Sequence, residues 1–480
     1  MAPPPILKAG LKQRHLTMIA MGGVIGAGLF IGSGVVISGA GPASVIAYAA
    51  TGVLIILIMR MLGEMAVANP STGSFADYAR KALGGWAGFA VGWLYWYYWV
   101  VVVGFEAIAG ATIIQLWIDL PLWLIALVLM VTMTATNLLS VSSFGEFEFW
   151  FAGIKVAAIV VFIVLASLFA FGVWPGKQAD FSNLWSHGGF MPNGVGSIFS
   201  SVVVVIFAMV GAEVATIAAA ESPDPGAAIA KATRSIVTRI TIFFVLSIVL
   251  LTVVLPWNDP ALAASPFAAA FDRMGIPFAS TIMNAVVLTG VLSVLNSGLY
   301  TASRMLFVLS ARREAPLALV KVGRAGVPRR AILLSSVVGF LCVIAAAAAP
   351  ETVFYFLINS IGPIILIIYV IIAISQIVLR RRTSPGKLVV KMWMFPYLSL
   401  VAIAAMIAVL AQMALDPNLR VQFLLAVGAL VVVVMVYFVT RRTAKNSFSV
   451  LPEYEASTSA ATGSRVLDPA NETTEASQFS

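Results

Sequence analysis

Long apolar runs separated by short polar segments dominate the chain. Each run has about 20 residues or more, the length that an α-helix needs to cross the hydrocarbon core of a bilayer. The pattern therefore predicts about twelve transmembrane helices, and the run at 277–310 is long enough to be tilted or to extend beyond the membrane. The predicted spans are residues 17–37, 41–65, 86–117, 121–141, 149–174, 196–220, 236–256, 277–310, 330–349, 352–380, 393–415 and 420–440.

Six glycines interrupt the first run, where residues 22–34 read GGVIGAGLFIGSG. Glycine lowers the stability of a helix by about 1 kcal/mol per residue relative to alanine. In a membrane, an unwound backbone is tolerated only where it is buried in protein or lines an aqueous cavity. The run therefore predicts a broken helix whose backbone groups meet a solute near the middle of the bilayer. Close helix packing through small residues is the alternative interpretation.

A second interruption, FAMVGAE at 207–213, lies in the sixth run, about 185 residues after the first. Two broken helices in corresponding halves are typical of inverted repeats with the substrate between them. The predicted fold is an all-α membrane protein with a 5+5 inverted repeat. Its expected parts are a cytoplasmic N-terminus (1–16), a transport core (17–380, spans one to five and six to ten), two peripheral transmembrane helices (381–442) and a disordered cytoplasmic tail (443–480).

Composition and charge agree with a membrane protein. Hydrophobic residues make up 61% of the chain and charged residues only 10%. The net charge is +9, and the 29 Lys and Arg residues lie almost entirely on one side of the predicted membrane. By the positive-inside rule, that side is the cytoplasm, so both termini are expected there. We interpret the basic clusters as topology signals and contacts with anionic lipids, not as a nucleic-acid surface.

Enzyme and metal chemistry find no support in the pattern. A single cysteine, Cys342, rules out an intrachain disulfide and a cysteine metal cluster. The two histidines, His15 and His187, lie in a terminal segment and a loop, without metal-ligand spacing or a nucleophile–base pair. We therefore expect no catalytic residues, no metal and no cofactor.

The first interruption offers main-chain groups that fit a zwitterion. The amides of Ala27 and Gly28 begin a half-helix, where the positive end of the helix dipole favours a carboxylate. The carbonyls of Val24 and Ile25 end the preceding half-helix, and they accept hydrogen bonds from an ammonium group.

Phe207, Val210 and Glu213 are the candidates in the second interruption. The carbonyls of Phe207 and Val210 can accept from a substrate amino group, and the Phe207 ring faces either the site or lipid. A carboxylate at the centre of a span costs about 2.5 to 3.5 kcal/mol and usually serves ions or substrate. Glu213 is therefore a candidate for proton coupling, with a hydrogen bond to a neighbouring helix as the alternative.

Two more ionisable residues lie deep in predicted spans. Lys155 must be paired or must give up its proton, so it either takes part in proton coupling or is a fixed positive charge. Glu106 in span three contacts substrate or a proton, or makes a buried hydrogen bond.

The aromatic run at 93–99 is more typical of packing or an interface belt than of a ligand cage. For Asn296 and Ser297 we favour interhelical hydrogen bonds.

These segments resemble the amino acid permeases of the amino acid, polyamine and organocation transporter superfamily. The resemblance runs from about Leu11 to Arg442. Two of its blocks, GAEVATIAAAES and NLLSVSSFGEFEFW, are more similar to the permeases of GABA than to those of aromatic or basic amino acids. The run VVVVGFEAIAG in span three departs from that pattern and leaves proline or another small neutral amino acid open. The blocks are GGVIGAGLFIGSG followed by GP at 41–42, MRMLGEMAVANPSTGSFADYA at 59–79, GWLYWYYW at 92–99, LLSVSSFGEFEFW at 138–150, GGFMPNG at 188–194, GAEVATIAAAESPDP at 211–225 and LNSGLYTASRMLF at 295–307.

The resemblance implies main-chain substrate contacts at the two interruptions and an aromatic gate at Phe207. It also implies that Lys155 lies beside the unwound part of span one, where sodium-coupled relatives hold a cation, so that a proton replaces sodium. The expected activity is import of a small zwitterionic amino acid across the bacterial cytoplasmic membrane, with GABA as the first candidate. A proline or neutral amino acid permease is the alternative, and a non-transporting nutrient receptor that signals through its tail is a remote one.

Overall fold

The fold is described from a computed structural model of the 480-residue chain. The described ranges contain helices, turns and connecting segments, and no β-strand occurs within them. The expectations for residues 1–16, for Val24 and for the tail after residue 443 lie outside these ranges. The residues that the structure describes are 25–68, 74–139, 141–173, 180–211, 213, 227, 235–263, 265–323, 326–384, 386, 388 and 390–443.

Fifteen α-helices are numbered here in chain order within the described ranges. Short 3₁₀ turns lie at Gly41–Ala43, Phe181–Leu184, Pro260–Ala263 and Leu317–Val320, and a π-helical stretch, Ile240–Leu246, leads directly into α9. The α-helices are α1 (Ala27–Phe30), α2 (Gly32–Ala40), α3 (Ser44–Ala68), α4 (Ser74–Leu83), α5 (Gly85–Ile114), α6 (Leu122–Leu139), α7 (Val141–Ala170), α8 (Gly196–Ala208), α9 (Ser247–Val254), α10 (Pro266–Met274), α11 (Ala279–Ala311), α12 (Arg329–Ala348), α13 (Pro350–Arg382), α14 (Tyr397–Leu415) and α15 (Arg420–Thr443).

Ten helical segments in the described ranges are long and apolar enough to cross a membrane. One of them, Ala27–Ala68, covers the first two predicted spans, and the shorter α8 lies where the sixth was predicted. Every predicted span thus contains a helix, and the prediction of an all-α membrane fold is confirmed. The main difference in bounds is α7, which begins at Val141 and not at residue 149.

The centre of the bundle is formed by α5, α11 and α13, since α5 packs against both other helices. The one-turn helix α1 lies against α8 and α11. On the outside, α14 contacts α3, α8 and α13, while α15 contacts α5, α13 and α14. The two interruptions of the sequence are therefore held next to the central helices.

The outer helices carry exposed apolar side chains in the described ranges. Examples are Val131 on α6, Leu341 on α12 and Val432 on α15, all more than half exposed. Such faces suit contact with lipid, because hydrocarbon solvates them as well as a protein core does. Large side chains such as Phe105 and Tyr369 are instead fully buried in the centre.

Candidate functional site

The first interruption is a broken helix. Gly26 has an extended backbone with φ −147° and ψ −156°, and α1 then makes a single turn before the chain restarts as α2 at Gly32. The carbonyl of Gly26 accepts from the N–H groups of Leu29 at 3.2 Å and Phe30 at 3.1 Å. The first amides of a helix have no carbonyl one turn earlier to bond.

The amides of Ala27 and Gly28 occupy those first positions of α1. Both residues are buried, as is Ile25, whose carbonyl was predicted to accept from an ammonium group. The fourth predicted member of this group, Val24, lies outside the described residues.

The second interruption follows α8. The helix ends at Ala208, and the N–H of Met209 bonds the carbonyl of Ile206 while the N–H of Val210 bonds that of Phe207, both at 3.2 Å. The next residue, Gly211, has φ +105°, a conformation that glycine adopts without the steric cost of a side chain. The predicted break is therefore present, and the Phe207 carbonyl already accepts a bond within the turn.

The two interruptions meet each other. A Cβ atom built on Gly28 would lie 2.7 Å from the Cα of Ala208 and 3.1 Å from Cε1 of Phe207. Only a residue without a side chain allows α1 and the end of α8 to approach this closely. Gly28 therefore has a packing role, the alternative weighed for these glycines, in addition to any role of its amide.

A small pocket lies between these elements. Four predicted residues line it, from both interruptions and from α5: Gly28, Glu106, Phe207 and Val210. Ile25 and Ala27 are buried nearby but do not line it. Residues not predicted as site residues complete the lining: Gly26, Tyr98, Trp99, Val102, Ala208 and Val294.

Glu106 is the acidic group of this pocket. Its side chain is fully buried, and neither carboxylate oxygen completes a hydrogen bond within the described part of the chain. The Ala27 amide faces the carboxylate. A buried polar group without partners is costly unless a ligand, ion or proton satisfies it. Glu106 therefore lies where a ligand, an ion or a proton in the pocket can satisfy its carboxylate.

Phe207 faces the protein interior. Its side chain is 6% exposed, and its ring packs edge-on against Phe105 with the ring centroids 5.4 Å apart. Phe105 in turn packs against Phe354 of α13, at 5.1 Å. The lipid-facing alternative for Phe207 is wrong, and the ring joins a cluster of aromatic side chains beside the pocket.

Lys155 lies outside the pocket lining, in a polar chain between α7 and α11. Its Nζ donates to Oγ of Ser293 at 3.0 Å, and that hydroxyl donates to Oε2 of Glu148 at 2.7 Å. The Lys155 charge interacts with both Glu148 and Glu106. Glu148 is fully buried and was not predicted, since it precedes the expected start of span five. Glu148 and Lys155 are seven residues apart and therefore share one face of a helix, and this spacing could have indicated that the two side chains interact.

Glu213 lies beyond the second interruption and is held by three donors. The Gly211 N–H donates to Oε2 at 2.9 Å, the Tyr95 hydroxyl to Oε1 at 3.1 Å and the Tyr369 hydroxyl to Oε2 at 3.4 Å. These donors come from the turn itself, from α5 and from α13. Glu213 thus fastens the end of the broken helix to two central helices and does not line the pocket.

Two other predicted groups have clear contacts. Asn137 of α6 donates from Nδ2 to Oδ1 of Asn296 at 2.7 Å, so the interhelical hydrogen bond predicted for Asn296 is present. The Ser297 hydroxyl donates to the carbonyl of Ser293 on its own helix, at 2.6 Å. In the aromatic run at 93–99, Trp93 and Trp96 pack together, whereas Tyr98 and Trp99 line the pocket. The packing interpretation of this run therefore describes only part of it.

Comparison with known proteins gives the family. The model of a protein family described as "Amino acid permease" matches residues 15–453 of the chain. The chain belongs to the amino acid permease family. Among curated members, it is 48% identical to the gamma-aminobutyric acid permease of Bacillus subtilis (strain 168), over 92% of this chain and 95% of that protein. It is 46% identical to the probable GABA permease of Pseudomonas aeruginosa (86% and 88%) and 40% identical to the aromatic amino acid transport protein of Escherichia coli K12 (92% and 97%).

A solved structure shares the fold of this permease. The crystal structure of a mutant manganese transporter from Eremococcus coleocola superimposes with a TM-score of 0.54, covering 90% of this chain and 95% of that one. The sequences are only 13% identical. This likeness concerns the arrangement of helices alone.

Proposed function

We propose that this permease is a secondary active transporter that imports GABA across the bacterial cytoplasmic membrane together with a proton. Both termini are cytoplasmic in this proposal, because the basic residues concentrate on that side. The family and the GABA permeases among the relatives support the substrate. The single observation that carries the proposal is the pocket between the two broken helices, which is lined by Gly28 at the start of α1 and by the buried acid Glu106.

Substrate binding in this proposal uses opposite ends of two helices. The substrate carboxylate bonds the amides of Ala27 and Gly28, at the positive end of α1. The ammonium group bonds the carbonyls of Phe207 and Val210, near the negative end of α8. GABA carries three methylenes between its charged groups, so in this proposal the ammonium acceptors lie farther from the amides of Ala27 and Gly28 than an α-amino acid requires.

Proton coupling in this proposal follows from the position of Glu106. Its carboxylate faces the Ala27 amide that the substrate carboxylate also needs. Two carboxylates at one site repel each other unless one of them is protonated. Substrate binding therefore favours uptake of a proton at Glu106. The charge of Lys155 interacts with Glu106, and in this proposal Lys155 alternates between its protonated and neutral forms during the transport cycle.

The driving force then comes from the membrane potential. One positive charge that moves inward with the zwitterion yields about 2.3 kcal/mol per 100 mV. That energy supports roughly fortyfold accumulation at 100 mV, since about 1.4 kcal/mol corresponds to a factor of ten.

A competition panel tests the substrate. Purified protein in sealed vesicles is given labelled GABA and an excess of unlabelled GABA, proline, alanine or phenylalanine. We expect GABA and similar ω-amino acids to compete most strongly. Stronger competition by proline would make the protein a proline permease, and no uptake at all by active preparations would favour the receptor alternative.

A further inference from the structure

A continuous hydrogen-bonded chain links Lys155 to a second buried acid. The Nζ of Lys155 donates to Oγ of Ser293 at 3.0 Å, and the Ser293 hydroxyl donates to Oε2 of Glu148 at 2.7 Å. All three side chains are fully buried. The side chains of Ser297 and Asn296 also face the Glu148 carboxylate, whose other oxygen, Oε1, completes no hydrogen bond among the described residues. An unpartnered oxygen on a buried acid leaves a place where a proton can reside.

The chain also has a direction. Glu148 precedes Lys155 by seven residues on α7, which is two turns and about 10 Å along the helix axis. It therefore lies between Lys155 and the end of α7 that begins at Val141. In the topology proposed above, this end of α7 faces the cytoplasm, so the chain leads inward from the site.

We propose that Glu148 receives the proton from Lys155 through Ser293 and releases it toward the cytoplasm. The Lys155 ammonium gives a proton to Oγ of Ser293 while the Ser293 hydroxyl gives its own to Oε2 of Glu148. The products are a neutral amine, an unchanged serine and a neutral carboxylic acid, so charge and protons balance. Glu106 and Glu148 face Lys155 from α5 and from its own helix, one toward the pocket and one away from it. This inference rests on the proposed proton-coupled uptake.

If Glu148 accepts the proton, its variants should behave differently from variants of a Glu148 that is only a fixed partner in an ion pair. A fixed counter-ion at Glu148 only stabilises the Lys155 charge, so its loss would weaken every part of the transport cycle alike. A proton acceptor is needed only when a proton must leave, and exchange of labelled for unlabelled GABA requires no net proton movement. The decisive comparison is therefore between exchange and proton-driven accumulation.

The test uses the full-length protein in sealed vesicles and the variants Glu148→Gln and Ser293→Ala. Three quantities are measured: GABA exchange without a gradient, GABA accumulation under an imposed pH gradient, and protons entering per GABA, read with a trapped pH dye. We expect both variants to retain exchange, to lose accumulation so that inside and outside concentrations become equal, and to lose GABA-dependent proton entry. Thr289→Ala is the matched control, because that hydroxyl on α11 bonds only the carbonyl of Val286 on its own helix among the described contacts.

Accumulation that persists in Glu148→Gln would overturn the inference, as would a parallel loss of exchange and accumulation in Ser293→Ala. If Glu148→Gln does not reach the membrane, the Ser293→Ala result decides. Wild-type protein that accumulates GABA without proton entry would refute the proposed symport instead. The two failures are therefore distinguishable.

Discussion

Gly28 and Ala208 bring the two broken helices into backbone contact. A Cβ atom on Gly28 would lie 2.7 Å from the Cα of Ala208, closer than such atoms approach in proteins. The start of α1 and the end of α8 are consequently adjacent at the pocket. Glycine at position 28 therefore serves the packing of the two broken helices.

Replacement of Gly28 by alanine should therefore strongly reduce GABA uptake. The added methyl group must separate α1 from α8, and overpacking of this kind costs about 1 to 3 kcal/mol. Uptake per molecule is measured in vesicles, with membrane abundance checked by quantitative blotting. Gly39→Ala is the matched control, since a Cβ atom there meets nothing within 4 Å. Full transport by Gly28→Ala would contradict the close contact.

Glu213→Gln should reduce exchange and accumulation in parallel. The carboxylate accepts from three donors, and an amide would turn one acceptor oxygen into a donor that faces them. A buried unsatisfied donor costs about 1 to 3 kcal/mol, so a lower melting temperature is also expected. Exchange is compared with pH-driven accumulation in the same vesicles. Loss of accumulation alone would show that Glu213 carries the coupled proton.

The ion pair between Asp77 and Arg312 predicts rescue by charge exchange. Arg312 Nη2 lies 2.7 Å from the Asp77 carboxylate and ties α4 to the end of α11, beside the second pair, Arg80 with Glu314. Either reversal alone, Asp77→Arg or Arg312→Asp, should lower stability by about 1 to 3 kcal/mol, because both side chains are largely buried. The double variant should recover most of the loss in a thermal unfolding assay. Additive losses would show that the two charges do not interact.

The helices and the first break were predictable because both depend on local sequence. Membrane helices need long apolar runs, and a cluster of glycines weakens a helix wherever it occurs. Gly28 and Glu106 could be found because a glycine cluster and a buried acid are unusual in an apolar span, and Phe207 and Val210 because they belong to the second interruption. All four line the pocket.

The rest of the pocket depends on packing between distant segments. Tyr98 and Val294 enter it from α5 and α11, and neither residue looks unusual in its own span. Glu148 was missed for a different reason. The predicted span began at residue 149, directly after this acid, whereas α7 begins at Val141 and buries the acid beside Ser293.

The central claim is that GABA moves inward with a proton, and one vesicle experiment tests it most directly. Labelled GABA is supplied to wild-type and Lys155→Ala protein under an imposed pH gradient and membrane potential, with sodium replaced by potassium and with or without a protonophore. We expect wild-type protein to concentrate GABA without sodium, to fail with the protonophore, and Lys155→Ala to bind or exchange GABA without concentrating it. Wild-type uptake that requires sodium, or Lys155→Ala protein that still concentrates GABA under the proton gradient, would contradict the proposed coupling.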